Sequence, residues 1–205
     1  MRFHQTFCLL AVFFISVATN LKGSTPDVVI NVYNDARVEE NTLEKAQEEA
    51  TRILAHAGIN AEWINCKGLQ PQPVLNPYCS LPMSQNHLVL RVVPFQIRGG
   101  DSVLGVAFLD EDQPGVQADI FYPSLDGLCR EAGTSRSRVL GNVIAHEIGH
   151  LLLGTHSHSA RGIMRPHWHN QELDQIGMGT LLFTDTQAQT MQRRLMATLQ
   201  SSSGM

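Results

Sequence analysis

The sequence lacks a concentrated basic face. Its 15 Lys and Arg are outweighed by 19 Asp and Glu, for a formal net charge of -4. Nucleic acid and anionic membrane surfaces both call for clustered positive charge, so neither is expected as a partner. Internal repeats are absent, and no low-complexity tract occurs beyond the SSSG tail near Ser201. The sole long apolar run is LLAVFFISVA, from Leu9 to Ala18. It is too short for a comfortable membrane span and has the length of a signal-peptide core. Residues 1–23 therefore read as an export signal cleaved between Ala18 and Ser24. The mature protein is expected to be secreted or periplasmic, with no stable membrane insertion and as a monomer. Cysteine is sparse, with four residues, one of them (Cys8) in the signal. Cys66 and Cys79 bracket a proline-rich loop and are expected to pair, which an exported protein permits. Cys129 is left over.

Against these absences, 205 residues with 43% hydrophobic content suffice for one packed domain. Residues 24–200 are assigned to that domain and 201–205 to a flexible tail. Strands are expected at Asp27 to Asn34, Ala61 to Asn65, His87 to Phe95, Val103 to Leu109 and Ala118 to Tyr122. A helix with Leu43, Ala46, Ala50, Ile53 and Leu54 on one face follows the first strand. Asn41 and Glu44 are expected to cap it, and Gly58 to end it. A second helix, capped by Ser135 or Ser137, carries Val139, Leu140, Val143, Ile144, Ile148 and Leu151. A last helix spans Phe183 to Leu199 behind a Thr184–Gln187 capping box. Strand, helix, several strands and then helices predict an α+β domain with a twisted, mixed five-stranded sheet.

Nine histidines are present, six of them beyond position 145. His146 and His150, four apart on a helix, project from one face and can reach one ion. Neutral imidazole is a good zinc ligand. Glu147, beside the first histidine, is placed to take a proton from water and return it to a leaving amine. A catalytic zinc needs a third protein ligand. Gly154 can stop the helix and turn the chain back, which makes His156 the expected ligand. His158 is its rival, and His167 and His169 stand further off. Asp110, Glu111 and Asp112 form an acidic loop of a kind that can hold calcium, with a solvated turn as the ordinary alternative.

With His146, Glu147, His150, His156 and the downstream Gly162-Ile163-Met164-Arg165-Pro166 segment in view, the sequence resembles the metzincin zinc peptidases. Within them it resembles the matrixin-like branch, because Met164 falls eight residues after His156 and Pro166 two after that. The resemblance implies a zincin-like fold and a secreted metalloendopeptidase that cuts internal peptide bonds of a peptide or protein substrate. It implies one catalytic zinc, Glu147 as general base, and Met164 with Pro166 as a turn beneath the metal. It also implies an edge strand in which Gly105, Val106, Ala107 and Phe108 pair with substrate, and a pocket walled by Pro166 and Trp168. No propeptide is expected. One departure stands out: Leu153 occupies the family's glycine position and Gly154 follows it, which keeps His158 open as a ligand. Two other readings remain: a non-catalytic zinc-binding module with a closed four-ligand site, and a zinc hydrolase of a non-protein substrate.

Overall fold

The computed structural model describes residues 27–66, 77–84, 86–95, 103–109 and 115–202. The expected export signal and the Asp110–Asp112 loop lie outside the described residues. Among these residues, five strands form one sheet: β1 (Asp27–Asn34), β2 (Asn60–Cys66), β3 (His87–Val93), β4 (Gly105–Phe108) and β5 (Gln117–Phe121). Their order is β2-β1-β3-β5-β4. All neighbours run parallel except β4, which pairs antiparallel with β5 and is the edge strand among the described residues. Among the described residues, five α-helices accompany the sheet: α1 (Glu40–His56), α2 (Leu125–Ala132), α3 (Arg136–Leu153), α4 (Asn170–Met178) and α5 (Asp185–Ser202). This is the α+β domain with a mixed five-stranded sheet that the pattern predicts. No helix among the described residues is long and apolar enough to cross a membrane.

Alternation along β1 sends Val28, Ile30 and Val32 into the core, where Leu88, Leu90 and Val92 of β3 meet them. The same core takes Ala46, Ala50 and Ile53 of α1, Leu140, Ile144 and Ile148 of α3, and Met191 and Leu195 of α5. Each fully buried branched or aromatic side chain contributes about 1.5–3 kcal/mol, so this layer holds α3 against the sheet. The opposite alternation of β1 meets the disulfide loop. Asn31 Nδ2 donates to the Tyr78 carbonyl at 3.1 Å, and the Tyr33 hydroxyl donates to the Cys79 carbonyl at 3.2 Å. Cys66 and Cys79 are bonded, as expected.

Several boundaries differ from expectation for identifiable reasons. β3 stops at Val93 because Pro94 follows and has no N–H for the ladder. Helix α1 begins ahead of Asn41: the Thr42 and Leu43 amides donate to the Glu39 carbonyl, so Glu39 is the cap and Asn41 lies in the first turn. At α5 the expected box is present, with the Thr184 amide donating to Gln187 Oε1 at 2.9 Å and the Gln187 amide to Thr184 Oγ1 at 3.4 Å. Ser135 caps α3, accepting from the Arg138 amide. Helices α2 and α4 are additional to the expected elements. Both are short and each contains a glycine, which weakens the local signal.

The disulfide closes 13 residues of sequence separation. Replacing both Cys66 and Cys79 with Ala is expected to lower unfolding free energy by about 3 kcal/mol in urea titration. An unchanged midpoint would mean that the cross-link does not stabilise the fold.

Candidate metal centre

Helix α3 is buried along its whole length from Val139 to Leu152. An enclosed helix of this kind ordinarily carries apolar side chains on every face, because unpartnered polar groups are costly there. Here it carries Asn142, His146, Glu147 and His150, all buried. Asn142 Nδ2 donates to the Arg138 carbonyl at 2.9 Å. The other three face one cavity of about 730 Å³ between α3, β4 and the chain after α3.

The two imidazoles are oriented by backbone carbonyls. His146 Nδ1 lies 2.7 Å from the Ile163 carbonyl, and His150 Nδ1 lies 2.8 Å from the Thr155 carbonyl. A carbonyl can only accept, so each Nδ1 carries the proton. Burial, with the neighbouring imidazoles adding to it, pushes the His146 pKa down to about 3 and that of His150 below its usual value. Both rings are therefore neutral, and both Nε2 atoms present bare lone pairs. Those atoms lie 3.1 Å apart. Two lone pairs at that distance repel unless a cation lies between them. Two nitrogens, each about 2.0–2.1 Å from one tetrahedral ion, sit about 3.3 Å apart, so the pair fits zinc.

The third imidazole is that of His158. His146, His150 and His158 each offer a nitrogen within 4.8 Å of the others. The His158 ring centroid is 5.5 Å from that of His146 and 4.8 Å from that of His150. The cluster thus contains the rival, His158, while the expected His156 lines the same cavity outside it; both side chains are exposed. The reason lies in the turn. Helix α3 continues through Leu153, and Gly154 takes the left-handed conformation at φ 63, where a Cβ is costly. The next carbonyl, that of Thr155, meets His150. Further on, the Ser159 amide donates to the Met164 carbonyl at 2.8 Å, and Gln187 Nε2 of α5 donates to Ser159 Oγ at 3.1 Å. These bonds pin the residue next to His158 and set that ring over the pair. Counted from His158, Met164 follows after six residues, so the count behind the matrixin-like resemblance changes.

Met164 is fully buried. A Cβ built on Gly149 would meet its sulfur at 2.7 Å, so Met164 presses on α3 one residue before His150. Ile163 on the same turn accepts from both His146 and Trp168 Nε1, the latter at 3.1 Å. Pro166 and Trp168 line the cavity. Arg165 pairs with Glu172 of α4 at 2.8 Å, and the His169 amide donates to Glu172 at 3.2 Å, tying this turn to a helix that the sequence reading missed. The available signal was weak: Leu173 and Ile176 three apart, behind Glu172.

Glu147 lies against β4. Burial pushes its carboxyl up to about 8, opposed by a hydrogen bond from the Ala107 amide. A cation on the imidazoles would favour the ionised form. Gly105, Val106 and Ala107 also line the cavity, while Phe108 is half exposed at the end of the strand. Cys129 is a free, partly buried thiol on α2 whose pKa burial raises.

With this geometry the fold has a match among solved structures. Archaemetzincin from Methanopyrus kandleri superposes with a TM-score of 0.50 at 15% identity, covering 85% of this chain and 98% of that one. The chain has the zincin-like fold. A zinc-dependent peptidase from Methanocorpusculum labreanum is also similar, at a TM-score of 0.49 and 19% identity, over 79% of this chain and 99% of that one. No protein-family model matches the sequence, and no curated protein matches it.

The cluster predicts different outcomes for the two neighbouring histidines. His158→Ala is expected to weaken zinc binding at least tenfold, by analogy with the loss of other groups that hold a metal, whereas His156→Ala leaves zinc content unchanged. Competition with a chromogenic chelator measures both. Zinc loss in the His156 variant alone would reverse the assignment.

Proposed function

We propose that the protein is a zinc metalloendopeptidase of the metzincin type, exported through its N-terminal segment and acting on peptides or proteins. The observation that carries this reading is the pair of Nε2 atoms 3.1 Å apart, with a third imidazole within reach and the buried Glu147 carboxyl group next in the helix. His146, His150 and His158 would hold one zinc ion and leave a further position open. Bound there, zinc supplies Lewis-acid activation of water and of a scissile carbonyl.

The chain's own residues supply the rest. Glu147, as general base, takes the proton of the attacking water and passes it to the leaving amine. The carbonyls of Ile163 and Thr155 hold each Nδ1–H and so keep each Nε2 available. The free edge of β4 offers backbone groups to an extended chain, which adds as another strand. That mode of recognition favours a peptide over other hydrolysable substrates. The cavity between Trp168, Pro166 and α3 receives a substrate side chain.

Glu147→Ala is expected to keep stoichiometric zinc and to lose about 10²- to 10⁴-fold in kcat/KM on a casein-type peptide. Zinc analysis beside a fluorogenic cleavage assay reads both. A zinc-replete wild type that cleaves no peptide would instead favour the non-catalytic module. Export is checked by N-terminal sequencing of the protein recovered outside the cytoplasm, with a new terminus between Ala18 and Ser24 expected. An intact Met1 terminus there would contradict cleavage of the segment.

A further inference from the structure

Strand β4 is expected to bind substrate, yet its geometry assigns it a second task. The Phe121 amide donates to the Leu104 carbonyl at 2.9 Å, and the register continues as Gly105 with Ile120, Val106 with Asp119 and Ala107 with Ala118. In an antiparallel ladder, bonded and non-bonded pairs alternate. Val106 therefore bonds to β5, and Gly105 and Ala107 turn their amides and carbonyls to the free edge. The Ala107 amide faces Glu147 closely enough to favour its ionised form. Gly105, two residues back on the same face, has Glu147 directly against it. A Cβ at this position would come within 2.8 Å of both Glu147 Cγ and Oε1, and within 2.9 Å of the Asp119 carbonyl oxygen. Real Cβ atoms do not approach heavy atoms so closely. Backbone torsion does not explain the glycine, because Gly105 is absent from the residues with positive φ. The close approach of Glu147, together with the Asp119 carbonyl, does.

We propose that β4 positions the general base, the bare Cα of Gly105 making the space that the Glu147 carboxyl group occupies. Gly105 is thus a positioning residue, and β4 links substrate docking to the placement of the proton acceptor. The inference rests on the reading of Glu147 as general base, but the packing beneath it can be tested without any cleavage. The Asp119 carbonyl is backbone and cannot move aside cheaply, whereas the Glu147 carboxylate is the end of a flexible side chain. Which of the two makes Gly105 necessary is a measurable difference.

The experiment is a double-mutant cycle on the zinc-loaded protein, with Gly105→Ala made in the wild type and in Glu147→Ala. Gly177→Ala, whose Cβ would meet no atom closer than 3.9 Å, serves as the control glycine. Gly105→Ala is expected to lower Tm by about 5 °C in the wild type and by clearly less in the Glu147→Ala background, where only the Asp119 carbonyl remains in the way. Folding of the variant only in the Glu147→Ala background would support the inference more strongly. In the assay, Gly105→Ala is expected to keep its zinc, to lose about 100-fold in kcat and to hold KM within about twofold. An equal Tm loss in both backgrounds would place the obstacle at Asp119 and overturn the inference, as would wild-type kcat in Gly105→Ala. A wild type that cleaves nothing while the thermal coupling persists would instead overturn the peptidase reading, and with it the catalytic purpose of the contact.

Discussion

Two nitrogen lone pairs held 3.1 Å apart inside a buried helix form the constraint on which the rest of the site depends. Left alone, His146 and His150 could rotate away or share a proton. Backbone carbonyls on each Nδ1 prevent both, and burial keeps a second proton off the rings. The arrangement is unfavourable without a cation, which is why it indicates metal binding more strongly than the spacing of the histidines does. Both carbonyls come from the chain after α3, one just past Gly154 and one from the turn that carries Met164. The metal centre is therefore a product of how that loop folds back as much as of the helix.

Its support extends outward in layers. The core formed by β1, β3, α1 and α3 holds the helix that carries two imidazoles and the carboxylate. The cap of α5 reaches through Gln187 to Ser159 and fixes the neighbour of the third imidazole. Helix α4 reaches through Glu172 to Arg165 and steadies the Met164 turn. Opposite them, the free edge of β4 closes the upper side of the cleft against Glu147. On the proposed reading, substrate backbone and proton acceptor would thus meet the same four-residue strand.

Much of this was legible in the sequence because it depends on local periodicity. Alternation in β1 and β3, the apolar stripe of α1 and the Thr184–Gln187 cap each act over a few residues, and each is present. His146, Glu147 and His150 were readable for the same reason, since one helix fixes their mutual placement. The third imidazole of the cluster, that of His158, was legible only as the rival of His156. Whether His156 or His158 reaches the pair depends on a single left-handed residue and on hydrogen bonds from Ser159 to Met164 and Gln187, which no local pattern encodes. The glycine at 154 in place of 153 carried the warning. Helices α2 and α4 were missed because tertiary contacts, not propensity, hold them. The role of Gly105 was hidden because the group that needs its space lies 42 residues away in sequence.

The central claim is that His146, His150 and His158 together hold one zinc ion. X-ray diffraction from crystals of the zinc-loaded protein, with data collected on both sides of the zinc absorption edge, tests it most directly. The account predicts one anomalous peak within about 2.0–2.1 Å of all three Nε2 or Nδ1 donors, with His156 apart from it. A peak bound to His156 with His158 turned to solvent, or no peak between His146 and His150, would contradict it.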